Sequence, residues 1–434
     1  MALQTKSASR QRGRARALPV NSAAPYLMHI DLNSCFTTIE QQANPLIRNK
    51  PVAVAAYTTP NGFVLAASYE AKALGIKLGL NVRQAKEICP EIIVLMPDPP
   101  KYRAAYTRFK EVLLEYTSDV TPKSIDEFVI DFRGSAAIRA GMTMEEIGYE
   151  IKQRLREHIG EYVSVNVGIG PNRSLAKLAA GLHKPDGLDI INAQNLEATL
   201  ANCELMDLPG INRRFKARLF AAGITTPLEM YNADPNFLRN NVFFSKLGDM
   251  WHARLRGWEV DDVEFDRKTI GHQYALKEKT FDRDKLCRLL MKLSEKTGRR
   301  LRKNNLVAHG VHLSIRFTNH TYWHHGQKTE QALYATQDIY RAAADMLRGI
   351  GQFPDNVSLM SVHVFNLQDK SPEQTGLFDD FQIHQRRLAD AADKINDRYG
   401  EFTAIPAVMA GMRGKEILDR IAFGSLRDMD DQMR

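Results

Sequence analysis

Residues 28–36 read Met-His-Ile-Asp-Leu-Asn-Ser-Cys-Phe, a mostly apolar run in which the carboxylate of Asp31 closes the apolar part. Residues 123–131 read Lys-Ser-Ile-Asp-Glu-Phe-Val-Ile-Asp and set Asp126 and Glu127 side by side in a second apolar run. Burying a carboxylate is costly unless it is paired or holds a cation. Because adjacent strand residues point to opposite faces, the two neighbouring acids can share one site only if the chain turns there or reaches around a strand edge. Three acids at the edges of two core strands predict a hard-cation site, and a two-metal phosphoryl-transfer centre fits them.

The bulk composition is ordinary for a soluble globular chain. The 434 residues predict about two to four domains. Lys and Arg number 59 against 51 Asp and Glu, and the resulting net charge of +8 suits a polyanionic partner. The four cysteines are scattered without a CxxC pair, so we expect a reducing compartment and no disulfide framework or zinc knuckle. No apolar run is long enough to predict a transmembrane helix, and we expect a cytoplasmic, nucleoid-associated protein.

Four motifs resemble those of the Y-family translesion DNA polymerases. The first is Asp-Leu-Asn-Ser-Cys-Phe-Thr-Thr-Ile-Glu at 31–40, and the second is Ser-Ile-Asp-Glu at 124–127. The third is Gly-Ile-Gly-Pro-Asn-Arg-Ser-Leu-Ala-Lys-Leu-Ala at 168–179, closed by Lys-Pro-Asp-Gly at 184–187. The fourth is Leu-Pro-Gly-Ile at 208–211, a helix-hairpin-helix signature. The motifs occur in the family's order and spacing and cover most of the chain.

The organisation of the first half suits the palm, fingers and thumb that the resemblance implies. Mixed strands and helices over 25–190 predict a palm, with a small fingers module inserted at about 36–98. Residues 191–255 are helical around a Pro-Gly turn and predict a thumb. The charged stretch 256–268 has no clean period and predicts a linker. Residues 1–24, with five basic residues and no acid, predict a disordered arm, with a transit peptide as the alternative.

Residues 269–372 predict a small domain of their own. The patterns place strands near 269–277, 309–318, 322–334 and 356–367 and helices near 284–303 and 335–350. This β-α-β-β-α-β order is the one that the resemblance implies for the family's little-finger domain. The predicted fold class is therefore α+β, a mixed multidomain chain with a right-hand-like palm, fingers and thumb plus a little finger. The remainder, 373–434, is an extension with a short amphipathic helix over 386–399.

The resemblance implies that Asp31, Asp126 and Glu127 are catalytic. Together with the carbonyl of Leu32, they would ligate two Mg²⁺ ions. One ion would lower the pKa of the primer 3′-hydroxyl, and the other would hold the triphosphate and the leaving pyrophosphate. From spacing alone, a structural ion-pair cluster remains the alternative.

The resemblance also implies which residues surround the incoming dNTP: Cys35, Phe36, Tyr69, Lys72 and Lys184. Phe36 stands where the family pattern places an aromatic steric gate against ribonucleotides; an apolar core residue is the alternative. Lys72 replaces the family's usual arginine, and a lysine cannot make the same bidentate contact.

Two groups of residues are predicted to contact primer-template DNA. Gly210, Ile211 and Asn212 can form a backbone N–H nest that binds a phosphate, although a lone Pro-Gly is only a turn signal. A surface on which nearly all charges are positive is predicted to bind along the DNA backbone. Its affinity for DNA should fall steeply as the salt concentration rises. Its residues are Lys292, Lys296, Arg299, Arg300, Lys303 and Arg316. A solvated helix face is the alternative.

Gln374, Leu377 and Phe378 form a Gln-x-x-Leu-Phe pattern similar to the bacterial sliding-clamp peptide. Acidic and proline residues flank it, so we expect it to be exposed; a chance match is the alternative. Five of the twelve histidines fall within 309–325, but no metal-ligand spacing stands out among them. We interpret them as polar strand and turn positions.

We therefore predict a monomeric, Mg²⁺-dependent, low-fidelity DNA polymerase that extends primer-template DNA with dNTPs. One alternative is a non-catalytic relative that acts as a DNA or clamp adaptor, which would be expected to lack the three acids. The other is a palm-type nucleotidyl cyclase, which would need neither the hairpin-helix turn nor the basic C-terminal domain.

Overall fold

The computed structural model describes residues 18–263, 266–370 and 380–412, which divide into two compact units between 263 and 266. Both units combine strands and helices, so the predicted α+β class is confirmed. No helix in the described ranges is long and apolar enough to cross a membrane. All four cysteines are described, and all are free thiols.

The first unit is built from short strands and helices. Its strands are β1 (Leu27–Leu32), β2 (Val52–Ala55), β3 (Val64–Ala67), β4 (Ile93–Leu95), β5 (Val120–Pro122), β6 (Glu127–Asp131), β7 (Val165–Gly170) and β8 (Leu188–Ile190). Its helices are α1 (Cys35–Ala43), α2 (Tyr69–Ala73), α3 (Val82–Ile88), α4 (Pro99–Leu114), α5 (Ala136–Arg139), α6 (Met144–Ile159), α7 (Arg173–Leu182), α8 (Leu196–Ala201), α9 (Arg213–Ala221), α10 (Pro227–Asn232), α11 (Pro235–Phe237) and α12 (Leu247–Arg254).

A five-stranded sheet in the order β5-β6-β1-β7-β8 forms the palm. β1 lies between β6 and β7 and runs antiparallel to both. β5 and β6 form an antiparallel hairpin, and residues 124–126 are the bend between them. The two adjacent acids were predicted to share one site only if the chain turns between them. The bend provides that turn, because Asp126 lies just before the strand that begins at Glu127.

Helix α7 lies unusually close to the sheet because β7 contains two glycines. A methyl group added at Gly168 would lie 2.1 Å from the carbonyl oxygen of Ala176, and one at Gly170 would lie 2.5 Å from its amide nitrogen. Only residues without Cβ allow this approach. Asn172 caps the helix by accepting a hydrogen bond from the Leu175 amide at 2.7 Å. The helix continues to Leu182.

The other face of the palm sheet is the apolar core. Ile30 and Phe128 are fully buried there. The Phe128 ring contacts Tyr106 and Phe109 of α4 at centroid distances of 5.3 and 4.7 Å. A separate small sheet, β3-β2-β4, with α2 and α3 forms the fingers.

Helices α8 to α12 form the thumb around a core that includes the buried Trp251. The sequence predictions for the two ends of this region need correction. Residues 18–24 were assigned to a disordered arm, but the Asn21 amide donates to the Arg256 carbonyl at 2.8 Å. Arg256 itself is buried, and its guanidinium donates to the Tyr231 carbonyl at 2.7 Å. The start of the predicted linker therefore packs on the thumb. The sequence prediction missed this packing because local sequence pattern does not show such distant partners.

The second unit has the predicted β-α-β-β-α-β order. Its elements are β9 (Thr269–Thr280), α13 (Arg283–Lys303), β10 (Leu306–Phe317), β11 (Tyr322–Leu333), α14 (Thr336–Gly349) and β12 (Val357–Asp369), followed by α15 (Asp380–Tyr399). The sheet order is β11-β10-β12-β9, and all neighbours are antiparallel. Alternate residues of β10, such as Val311 and Leu313, are buried against α13 and α14.

Residues 380–412, here called the C-terminal clasp, cover the basic helix α13. Arg302, whose side chain is 4% exposed, makes a two-pronged ion pair with Asp393 at 2.5 and 2.9 Å. Arg299 binds Asp397 at 2.8 Å, and the ammonium group of Lys296 lies 3.4 Å from Glu401. Helix α15 begins at Asp380, six residues earlier than expected.

Contacts within the second unit change the predicted DNA surface. Lys292 and Lys296 are 1% and 3% exposed, so these two side chains do not face solvent as predicted. The Lys292 ammonium lies 4.4 Å from the Tyr274 ring centre, and the Arg300 guanidinium donates to the Gly271 carbonyl at 2.8 Å. Of the six predicted residues, only Lys303 and Arg316 are well exposed to solvent.

Candidate active site

The palm sheet brings the three predicted acids together at one end of its central strands. Asp31 of β1 is directly opposite Glu127 of β6 in the antiparallel register. Directly opposed residues point to the same face, so the two carboxylates are neighbours. The Leu32 amide donates to the Asp126 carbonyl at 2.8 Å, which fixes the hairpin turn beside the end of β1. The local pairing of β1 with the β5–β6 hairpin therefore builds the acid cluster.

Lysines compensate the outer two acids. The Lys184 ammonium donates to Asp31, and the Lys177 ammonium donates to both oxygens of Glu127 at 2.8 and 2.9 Å. Asp126 accepts a hydrogen bond from the Ser124 hydroxyl within the hairpin turn. The cluster thus places three carboxylates together and balances two of them with cations.

Burial and the neighbouring charges shift the pKa values of all three acids. Burial raises the pKa of Asp31, and Glu127 adds to the effect while Lys184 opposes it. Burial also raises the pKa of Asp126, assisted by the charges of Asp31 and Glu127. Burial acts in the same direction on Glu127, but the hydrogen bonds and charge of Lys177 outweigh it and lower its pKa. Further positive charge at the cluster would favour the ionised acids.

The donor set fits hard divalent cations. It consists of carboxylate and carbonyl oxygens, the ligands that Mg²⁺ prefers. In the described residues, no three His, Cys, Asp or Glu side chains enclose an ion-sized space as they stand. Glu127 and Asp31 instead form ion pairs with Lys177 and Lys184.

The predicted nucleotide contacts gather beside Asp31. The Lys72 ammonium donates to the Ser34 hydroxyl at 2.7 Å and lies 4.4 Å from the Tyr69 ring centre. The Tyr69 hydroxyl donates to the Asn33 side-chain oxygen at 3.1 Å. Burial raises the pKa of Tyr69 to about 12, so its hydroxyl keeps its proton. Burial, with help from Lys184, lowers the pKa of Lys72. These side chains from the fingers and the palm form one group of donors.

Phe36 and Cys35 begin helix α1 directly after the acid-bearing strand, and both are buried. The Phe36 ring stacks on Tyr102 with centroids 4.5 Å apart and planes 11° apart. The Tyr102 hydroxyl donates to Glu40 at 2.8 Å, so the stacking partner is itself fixed. The ring of Phe36 is therefore held rigidly near Asp31. Burial raises the pKa of the Cys35 thiol well above its ordinary value.

The hairpin-helix turn has the backbone that a nest requires. Gly210 has a φ of 104°, which a residue with a side chain rarely adopts. Ile211 is buried in the thumb core. Asn212 caps α9 by accepting hydrogen bonds from Arg214 and Phe215 amides at 3.0 Å. The turn therefore ends at a helix N-terminus, which is favourable for phosphate.

The site also includes three residues that no sequence motif assigned to it: Lys177, His29 and Tyr102. Lys177 lies inside the third motif, seven residues before Lys184, and only the fold shows that it reaches Glu127. His29 lies two residues before Asp31, so strand alternation puts both on one face. That alternation was a usable signal. Tyr102 gave no local signal, because its stacking on Phe36 depends on the packing of α4 against α1.

The remaining predicted residues belong to the second unit or lie outside the described residues. Gln374, Leu377 and Phe378 lie outside the described residues. Two of the clustered histidines, His312 and His324, have ring nitrogens 3.3 Å apart on neighbouring strands of the second unit. Arg299, Arg300, Lys303 and Arg316 remain predicted DNA contacts.

Comparisons with known proteins agree on one family. Residues 30–181 match the impB/mucB/samB family, and residues 267–377 match its C-terminal domain. DNA polymerase IV of Pelotomaculum thermopropionicum is 30% identical over 383 residues, which is 87% of this chain and 94% of that protein. DNA polymerase IV of Moorella thermoacetica is 32% identical over 377 residues, covering 86% and 92% of the two chains.

Solved structures share the fold. A Y-family DNA polymerase chimera of Dbh and Dpo4 superposes with a TM-score of 0.68 at 24% identity, covering 79% of this chain and 99% of the chimera. A Dbh ternary complex superposes with a TM-score of 0.53 at 25% identity, covering 78% and 98%.

Proposed function

From the premise that this chain belongs to the impB/mucB/samB family and is a Y-family translesion DNA polymerase, we propose that Asp31, Asp126 and Glu127 are its catalytic acids. One observation carries the proposal: β1 and the β5–β6 hairpin deliver all three carboxylates to one end of the palm sheet. In a purely structural ion-pair cluster, Asp31 and Glu127 would be enough to pair the two lysines, and Asp126 would have no role. Polymerases of this family are generally dependent on divalent metal.

The three acids and the Leu32 carbonyl would hold two Mg²⁺ ions. Two ions bound there would activate the primer 3′-hydroxyl and stabilise the leaving pyrophosphate. The residues of the chain have separate roles around them. Lys184, Lys72 and the Tyr69 hydroxyl offset the charge of the triphosphate. Lys177 keeps Glu127 ionised through its ion pair.

DNA contacts would come from both units. In the thumb, the backbone N–H groups of Gly210, Ile211 and Asn212 would bind a phosphate without reading sequence. In the second unit, Lys303 and Arg316 are exposed and would bind the backbone, and the partly exposed Arg299 and Arg300 would contribute. We expect the protein to act on DNA as a monomer.

Primer extension with and without Mg²⁺ tests the function. A 5′-labelled primer on a longer template should be extended only when both dNTPs and Mg²⁺ are present. A non-catalytic adaptor would bind the duplex but extend nothing under any condition. A nucleotidyl cyclase would convert a nucleoside triphosphate to a cyclic product without any DNA, and that product would contradict the polymerase assignment.

Clamp binding is a separate proposal that rests on the sequence at 374–378. Changing Leu377 and Phe378 together to Ala should abolish the stimulation of primer extension by a bacterial sliding clamp, because two apolar anchors of a docked peptide are lost. Extension without the clamp should not change. The measurement is the length of products made per binding event, with and without clamp loaded on the template.

The matched control for the clamp experiment is Leu388→Ala. Leu388 is an exposed leucine on α15, outside the pentapeptide. It should retain full stimulation. If the double variant is stimulated as strongly as the control, the Gln-x-x-Leu-Phe match is accidental.

A further inference from the structure

Two histidines meet on the face of the second unit's sheet that lies opposite helices α13 and α14. Val311 and Leu313 of β10 are buried in the core with those helices, so strand alternation points His312 to the other face. On β11, His324 lies two residues from Gly326, the register partner of His312, and so points to that face as well. The Nε2 atom of His312 and the Nδ1 atom of His324 lie 3.3 Å apart. The sequence spacing gave no sign of this pair, because only strand pairing brings the two rings together.

Both rings have neighbours that limit their rotation. A methyl group added at Gly326 would lie 3.1 Å from the Cδ2 atom of His312, so the missing side chain gives this ring room over β11. The Tyr322 ring stacks on His324 with centroids 5.2 Å apart and planes 8° apart. The two nitrogens are therefore held close together by the sheet and its side chains.

The distance between the two nitrogens suits a shared metal ion. A hydrogen bond between nitrogens at 3.3 Å is long, and so it contributes little. Zn²⁺ binds imidazole nitrogen at about 2.0 to 2.1 Å, which places two such nitrogens about 3.3 to 3.4 Å apart at a tetrahedral angle. One ion could therefore bind both rings without separating the two strands.

The chemistry of the pair favours a transition metal. Neutral imidazole is the form that binds metal. Burial lowers the pKa of His312, and the charges of His324 and His325 act in the same direction, so His312 is neutral at neutral pH. Among the described residues, no third His, Cys, Asp or Glu completes the pair, so water would fill the remaining positions around an ion. Two nitrogen donors without a carboxylate suit Zn²⁺ or Cu²⁺ and not Mg²⁺.

We propose that His312 Nε2 and His324 Nδ1 together bind one Zn²⁺ ion. Each bound nitrogen must be unprotonated, so His312 would carry its proton on Nδ1 and His324 on Nε2. Cu²⁺ should bind the same pair more tightly than Zn²⁺, as it does most nitrogen sites. The site belongs to the second unit and does not depend on the proposed polymerase function.

The test is a calorimetric titration of the full chain, without a polyhistidine tag, with Zn²⁺ in excess Mg²⁺. The Mg²⁺ competes for the proposed catalytic acids, so the nitrogen site is measured separately. His312→Gln or His324→Gln should weaken Zn²⁺ binding at least roughly tenfold, because even the loss of an outer-shell partner commonly costs that much. Electron paramagnetic resonance with Cu²⁺ should show splitting from two nitrogen ligands in the unmodified protein and from one in either variant.

His325→Gln is the matched control. His325 follows His324 directly, so alternation points it to the opposite face, and the variant should bind Zn²⁺ as the unmodified protein does. His324 is exposed, so His324→Gln should fold normally and gives a clear answer even if His312→Gln is less stable. Melting temperatures without metal verify the folding of each variant. Binding of Zn²⁺ by His324→Gln as tight as that by His325→Gln would overturn the proposal, and so would an unmodified protein that binds no Zn²⁺.

Discussion

Asp126→Asn is expected to reduce single-nucleotide insertion at least roughly a thousandfold, about 4 kcal/mol in transition-state stabilisation, while duplex DNA binding stays nearly intact. The amide keeps the shape of the side chain but removes the charge that the proposed metal site needs. DNA binding should persist because the thumb turn and the second unit are untouched. The measurements are insertion rate at saturating dNTP and DNA affinity by fluorescence anisotropy.

The same variant should fold at least as well as the unmodified protein. Burial and neighbouring acids raise the pKa of Asp126, which means that folding disfavours its ionised form. A neutral amide avoids that cost, so its melting temperature near neutral pH should not fall. Glu127→Gln should be equally inactive but less stable, because Lys177 loses its ion partner.

Asp131→Asn is the matched control. Asp131 lies on the same strand and face as Glu127 but at the far end of β6, where Arg133 binds it at 2.5 Å. This control should insert nucleotides at the normal rate. Near-normal insertion by both Asp126→Asn and Glu127→Gln would remove the catalytic assignment.

Phe36→Ala is expected to raise the relative use of ribonucleotides by at least roughly tenfold, about 1.4 kcal/mol, in the ratio of kcat/KM values for a ribonucleotide and its deoxynucleotide. Phe36 comes five residues after Asp31 in the chain, and its ring stacks on Tyr102. A rigid ring can exclude a 2′-hydroxyl by steric clash, and removing it opens that space. The unmodified enzyme should strongly prefer deoxynucleotides.

Phe36→Tyr is the control, because it keeps an aromatic ring at the same position and should keep the preference. Phe36→Ala also leaves Tyr102 without its stacking partner, so activity with deoxynucleotides must be measured alongside. An active Phe36→Ala enzyme with unchanged sugar preference would show that Phe36 only packs the core.

The sequence was most informative where local pattern and burial coincide. The order of elements in the second unit followed from alternation, as in Val311, Leu313 and Ile315 of β10, because one buried face imposes period two. The acid cluster was predictable for a similar reason. Two apolar runs with acids at their ends can pair only in a few registers, and the one formed sets Asp31 opposite Glu127.

Long-range charge pairing was not predictable in this way. The basic face of α13 has no acidic partner nearby in sequence, and Asp393 and Asp397 come more than 90 residues after Arg302 and Arg299. His29 was missed for a different reason. A histidine in an apolar strand has the pattern of a core residue, and only the fold shows that its ring nitrogens have no hydrogen-bond partner among the described residues.

Because of the C-terminal clasp, fewer positive charges of α13 are available to bind DNA than its sequence suggests. A cation releases bound counterions from DNA only if it reaches a phosphate, and Arg302 and Lys296 already neutralise acids of their own chain. Ionic strength should therefore weaken the complex less than a count of the basic residues on α13 implies. Part of the positive charge of α13 is therefore balanced inside the second unit, and the entropic gain on binding DNA must come from exposed cations such as Lys303 and Arg316.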